Sequence, residues 1–255
     1  MTGHLVERVP AVVLAGGKTL EPAARRSGVS HRALIRVAGE PMVHRVVEAL
    51  AAASHVSTVV VIGDLPADRR YRLLPDAGSL VENVYAGLRE VGDSSYALVA
   101  TCDIPFLTSE AVDDFIRKAA ATQADFVYPV VNMRLCRQRF PAIRRTSVLL
   151  REGEFTGGNM VLVNTRVMAS QRERIQVAYN LRKSPARLAM VLGFGTVALF
   201  ALTVLLRRGF LSIPRLEEAV SRMMGCTARA VVVPHAEIAT DIDTEEDLAA
   251  IGASP

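Results

Sequence analysis

The chain of 255 residues has no tryptophan, only three cysteines, and aromatic residues at just 5% of its length. Cys102, Cys136 and Cys226 are odd in number, widely spaced and without a CxxC pair. That excludes a disulfide-stapled small fold and fits a reduced compartment. Lysine is almost missing: Lys18, Lys118 and Lys183 stand against 27 arginines, and together they give a net charge of +4. The basic residues form short groups, such as Arg69-Arg70-Tyr71-Arg72 and Arg144-Arg145, and no long run. With so few aromatics between them a nucleic-acid surface is not expected, whereas binding of phosphorylated small molecules accounts for the arginine equally well. The five histidines, His4, His31, His44, His55 and His235, show no metal-ligand spacing. The opening MTGHLVERVP lacks the apolar core of a signal peptide, so a cytoplasmic location is expected.

Half of the residues are hydrophobic, enough for a sizeable core and too many for a disordered chain. Short apolar runs rich in β-branched residues alternate with helical patterns. Ala11–Ala15 and Thr58–Ile62 read as buried strands that stop at glycine, and Tyr96–Thr101, Phe126–Val131, Met160–Val163 and Ala230–Val233 read as further strands. Between them, Pro41 opens a helix with a stripe at Val43, Val46, Val47 and Leu50. Ser79 to Leu88 reads as a second helix, with Ser79 and Glu82 at capping-box spacing. A third starts at Thr108 and runs to about Ala120. Continuous apolar strands separated by helices predict an α/β fold, a mostly parallel (mixed) central sheet with helices on both faces. The chain reads as one domain, 1–255, with an apolar helical insertion at about 185–225.

That insertion contains Leu188–Leu206, LAMVLGFGTVALFALTVLL, nineteen residues without a charge. The length suits a membrane span, but a span would put the Asp241–Asp243 motif and the N-terminal glycines on opposite sides of a bilayer. If both belong to one site, 188–206 is instead a buried hairpin, a homo-oligomer or other partner interface, or a peripheral membrane contact. These readings stay open at this point.

Three motifs each follow a strand, where open α/β sheets bind their ligands. Leu14-Ala15-Gly16-Gly17-Lys18 lets the backbone approach a ligand closely, yet it is neither GxGxxG nor GxxxxGK[ST]. A tight turn explains it as well. In Thr101-Cys102-Asp103-Ile104-Pro105, one carboxylate ends a buried strand. A buried Asp needs a cation or several donors, and nucleotide-bound Mg2+ is an economical answer. The competing role, capping the next helix, falls more naturally to Thr108. In Asp241-Ile242-Asp243-Thr244-Glu245-Glu246-Asp247-Leu248, the last acidic residues suit a helix start. Asp241 and Asp243, two apart in an extended segment, point together.

In this order the motifs resemble the MobA-like NTP transferases. AVVLAGG is similar to that family's nucleotide loop, and HRALIRVAGEPMVHRVVEAL to its segment before the first long helix. TCDIPFLT is similar to its metal-Asp strand end and DIDTEEDL to its C-terminal acidic motif. The resemblance implies a Mg2+-dependent nucleotidyltransferase with the GT-A-like fold. Such an enzyme moves NMP from an NTP, CTP or GTP being favoured, to a small phosphorylated or hydroxyl acceptor and releases pyrophosphate. It implies that Leu14, Ala15, Gly16 and Gly17 hold base and phosphates, and that GSLVENVYAGL brings Ser79, Asn83 and Gly87 near the nucleotide. It further implies that Asp103 binds Mg2+ with Asp241 or Asp243. Lys18 and Arg32 are the candidate catalytic cations. Arg32 stands where the family commonly has Lys, and Lys18, Arg25 and Arg26 depart from its spacing, so a nucleotide-binding protein without turnover is the alternative. On the acceptor side, Gly157-Gly158-Asn159 offers a close-approach loop and an orienting amide, or a plain turn. Arg182 and Lys183 could neutralise an acceptor phosphate. Arg137, Arg139, Arg144 and Arg145 are too many to rank.

Overall fold

The computed structural model describes residues 8–17, 24, 27–181, 206 and 208–252. Lys18, Arg25, Arg26, Lys183 and all but the last residue of the apolar run 188–206 lie outside them. No described helix is long and apolar enough to cross a membrane.

The strands are β1 (Val9–Leu14), β2 (Arg36–Val37), β3 (Glu40–Pro41), β4 (Val56–Ile62), β5 (Arg72–Leu74) and β6 (Tyr96–Thr101). They continue with β7 (Phe126–Asn132), β8 (Val148–Leu150), β9 (Gly153–Gly157), β10 (Met160–Asn164) and β11 (Ala228–Val233). β2 and β3 form a two-residue ladder of their own, and the rest make one sheet in the order β5-β4-β1-β6-β10-β7-β9-β8, with β11 added beside β7. Pairing is parallel from β5 through β4 and β1 to β6 and again between β7 and β11. It is antiparallel where β10 enters between β6 and β7 and in the β7–β9–β8 ribbon. The sheet is therefore mixed and α/β, as the alternating runs predict.

Period-two alternation builds the two layers. Ala11, Val13, Val61, Leu98 and Ala100 pack on one face with Val43, Val46 and Leu50 of α1 (Met42–Ala52) and Phe115 and Ile116 of α3 (Ser109–Thr122). Val12, Val60, Ile62, Ala97 and Val99 pack on the other with Leu88 of α2 (Leu80–Glu90) and Met224, which ends the late helix Ile213–Met224. Each fully buried Val, Leu, Ile, Phe or Met among these contributes about 1.5–3 kcal/mol. Burial on both faces is what makes β1 a continuous apolar run.

Local chemistry sets the element ends. Ser79 caps α2 by accepting from the Glu82 amide at 3.2 Å. The capping box expected there is only half made, because the Glu82 carboxylate meets Arg172 instead. Thr108 caps α3 by accepting from the Ala111 amide. Pro41 sits at the cap position of α1, one residue ahead of its expected place in the first turn. The short helix Met133–Arg139 and the β8–β9 hairpin carry no apolar periodicity of useful length and were not legible in the sequence.

Gly87 lies on the sheet-facing side of α2, where an added Cβ would stand 2.3 Å from Val12 Cγ1 and 2.9 Å from Ile62 Cδ1. Gly87→Ala is expected to lower the melting temperature, since overpacking costs about 1–3 kcal/mol against a helix-propensity gain of about 1 kcal/mol. An unchanged or raised melting temperature would refute that packing role. The hydrogen bonds from Arg137 and Ser147 to Glu154 hold its carboxyl below the usual carboxylate range. A lowered folded pKa gives stability that is present above the unfolded value and is lost as pH falls through the folded one. Arg137→Ala should therefore destabilise at neutral pH, with the difference from wild type shrinking on acidification in urea melts.

Candidate functional site

Four chain segments meet where the parallel strands end. β1 runs into Ala15–Gly17, tied across the sheet by the Ala15 amide on the Ile62 carbonyl at 2.8 Å and the Cys102 amide on the Leu14 carbonyl at 3.2 Å. β6 runs into Cys102–Asp103. β10 is antiparallel, so its entering end arrives at the same rim: the Thr101 amide donates to the Asn159 carbonyl at 3.0 Å. β11 leads through Ala236–Ala239 to Asp241–Asp243, and the Ile242 amide donates to the Asp103 carbonyl at 2.9 Å. That last bond pins the C-terminal acidic motif to the end of β6.

One carboxylate oxygen from each of Asp103, Asp241 and Asp243 lies within 4.8 Å of the other two. Two arginines face the cluster. Arg32, on a 3-10 turn at Arg32–Leu34 capped by His31, donates to Asp103 Oδ2 at 3.1 Å and to the Ile242 carbonyl at 2.7 Å, and pairs with Asp243. Arg145 pairs with Asp241. Thr101 Oγ1 donates to Asp103 Oδ1 at 2.5 Å. Burial pushes the Asp103 carboxyl above its usual value, Arg32 and Thr101 oppose it, and Asp243 adds to the rise. Three hard oxygen donors at this separation, with their charge only partly matched, suit a divalent cation such as Mg2+. The helix at Glu245–Ala250 is closed by a reciprocal capping box between Thr244 and Asp247. Those charges are spent on the helix, which leaves Asp241 and Asp243 to the cluster, as the sequence suggests.

The glycine loop has a floor that the sequence reading missed. Asp76 accepts from the Gly17 amide at 3.1 Å, the Gly78 amide at 2.8 Å and Asn83 Nδ2 at 3.1 Å. Asn83, 3% exposed, also accepts from the Ala77 amide at 2.7 Å. An added Cβ on Gly16 would stand 2.1 Å from Asn83 Nδ2, and Gly17 has a φ of +150°. The loop needs both glycines, one for close approach and one for its backbone. Asn83 flanks it, Ser79 caps α2 just after Gly78, and Gly87 packs α2 against Val12 and Ile62. Thr101 could have been found from the sequence, since it is the polar residue that ends β6, two positions before Asp103.

Beside the carboxylates lies a cavity of about 360 Å3, lined among others by Tyr128, Arg144, Arg145, Thr156 and Asn159. Asn159 lines it. Gly157 also lines the cavity; a Cβ on it would meet the Tyr128 hydroxyl at 2.3 Å, and one on Gly158 would meet Ile238 Cγ2 at 2.6 Å. The structure also ranks the four arginines. Arg137 is engaged by Glu154 away from the carboxylates, and Arg145 stands in the cleft. Lys18, Arg182 and Lys183 lie outside the described residues.

The MobA-like NTP transferase domain matches residues 11–189. A probable molybdenum cofactor guanylyltransferase from Methanosarcina acetivorans is 32% identical over 127 residues, 43% of this chain and 52% of that protein. The chain thus spans about half the length of that curated relative. A solved structure from Thermus thermophilus, described as a hypothetical transferase, superposes with a TM-score of 0.84 at 39% identity over 94% of this chain and 99% of the other. The 2-C-methyl-D-erythritol 4-phosphate cytidylyltransferase of Thermus thermophilus shares the fold at a TM-score of 0.54 and 15% identity, over 96% of this chain and 98% of that one. The matched domain covers the glycine loop, Arg32, Asp103 and Arg145 in one stretch, and the chain belongs to the MobA-like NTP transferase family.

Proposed function

We propose that the protein is a Mg2+-dependent nucleotidyltransferase that moves NMP from an NTP to a phosphorylated or hydroxyl acceptor with loss of pyrophosphate. The observation that carries this reading is the convergence of Asp103, Asp241 and Asp243 beside the diglycine loop. The nucleotide lies along Leu14–Gly17, with Asn83, Asp76 and Ser79 under the loop. GTP is the favoured donor, supported by the name of the 32% identical relative, with CTP the other candidate.

Bound at the carboxylates, a divalent cation supplies charge neutralisation for the triphosphate. The chain's own residues do the rest. Transfer of this kind needs positioning and electrostatic support more than a protein nucleophile. Asp103 is fixed by Thr101 and by its own backbone tie to Ile242, and Arg32 is held over the same carboxylates, where its charge can serve the phosphates. A guanidinium can present two parallel donors to a phosphate, which the lysine usual at this place cannot.

Thermal-shift titration with the four NTPs and Mg2+ tests binding; a ligand at about 100 times its dissociation constant adds about 2.7 kcal/mol. Asp103→Asn is expected to cut Mg2+-dependent pyrophosphate release by roughly 100-fold or more with an unchanged circular dichroism spectrum. NTP binding without pyrophosphate release over a panel of phosphorylated and hydroxyl acceptors would replace the enzyme by a nucleotide-binding protein of the same fold.

A further inference from the structure

The segment after Met133–Arg139 places two arginines side by side, and the fold treats them differently. Arg144 is exposed, without an ion pair among the described residues. The Arg145 side chain is only 16% exposed; it pairs with Asp241 and donates to the Gly157 carbonyl at 3.4 Å. Its Nε and the Asn159 Nδ2 are buried donors with no acceptor among the described residues. Leaving such a group unpaired costs about 1–3 kcal/mol. Both residues line the cavity of about 360 Å3, whose other polar walls include Tyr128, Thr146 and Thr156. Among the described residues, apart from Asp241 and Asp243, this lining has no carboxylate and no histidine. A wall of donors, two of them guanidinium groups, is built for an anion.

Asp241 is claimed from two sides, by Arg145 and by the three-carboxylate cluster. Building on the nucleotidyltransferase reading, we propose that Arg145 binds the acceptor's phosphate group and that Asp241 controls when it can. While Asp241 holds the guanidinium, the anion wall is closed. Once the Asp241 carboxylate is committed to a divalent cation, Arg145 is free to turn to the acceptor, so acceptor affinity depends on prior loading of metal and nucleotide. A phosphate monoester is close to dianionic at neutral pH, so its attacking oxygen needs no general base. The oxygen bonds to the NTP α-phosphorus, the bond from that phosphorus to the bridging oxygen breaks, and pyrophosphate leaves with the electron pair. Arg145 neutralises charge in this step and gives up no proton.

The test is calorimetric titration of inorganic phosphate, as the acceptor probe, into metal-free protein and into protein saturated with Mg2+ and the α,β-methylene analogue of GTP, which also blocks the nucleotide site. Loading is expected to tighten phosphate binding about tenfold or more, within the usual range of coupling between sites. Asp241→Asn should give the tightened affinity with no metal present. Arg145→Gln should bind phosphate weakly in both states and keep its affinity for the analogue, and Arg145→Lys should recover part of the gain; melting curves confirm that each variant is folded. If the analogue binds but phosphate affinity responds neither to loading nor to Asp241→Asn, the exchange of Arg145 is overturned and the nucleotidyltransferase reading stands. If the analogue does not bind wild-type protein, that reading falls and this proposal with it.

Discussion

Like charge brought close together is the constraint around which this protein is organised. Three carboxylate oxygens within 4.8 Å of one another repel with about 3–4 kcal/mol per pair at an effective dielectric constant near 20. Such a cluster persists in a folded chain only if cations face it. Here Arg32 and Arg145 do so, one from a short turn after the glycine loop and one from the segment before β8. Removing either would leave partly buried charge uncompensated, which is far more damaging than losing a surface pair.

The mixed sheet explains how the cluster is assembled. Parallel β1 and β6 deliver the glycine loop and Asp103 to one rim. β11, parallel to β7, delivers Asp241 and Asp243 to the same rim after a long detour of sequence. An all-parallel sheet would bring only strand exits there. The antiparallel β10 adds an entrance, and so Asn159 and the neighbouring arginine-lined cavity come to lie next to the carboxylates. Strand direction thereby sets the glycine loop, the carboxylates and the arginine-lined cavity side by side.

Gly16 and Gly17 serve the loop, through close approach to Asn83 and a positive φ. Gly87, Gly157 and Gly158 serve contacts with Val12, Tyr128 and Ile238. A glycine in a motif looks the same in either role, because a missing Cβ leaves no trace of what occupies its place. Only the neighbour across the gap tells them apart.

The strands β1, β4, β6, β7, β10 and β11 were legible as apolar runs rich in β-branched residues, and Thr108 and Thr244 announced their helices because a hydroxyl at a helix start satisfies amides nearby in sequence. The pairing of Asp241 with Asp243 on one face followed from extended geometry. These are local matters, set by residues a few positions apart. What the sequence could not determine is which distant groups meet: Asp76 beneath the glycine loop, Arg145 on Asp241, and the Ile242 amide on the Asp103 carbonyl. Each joins segments separated by between about sixty and one hundred and forty residues. Such contacts depend on strand order and direction, which a linear pattern of apolar and polar residues does not encode locally, so the tertiary structure alone decided them.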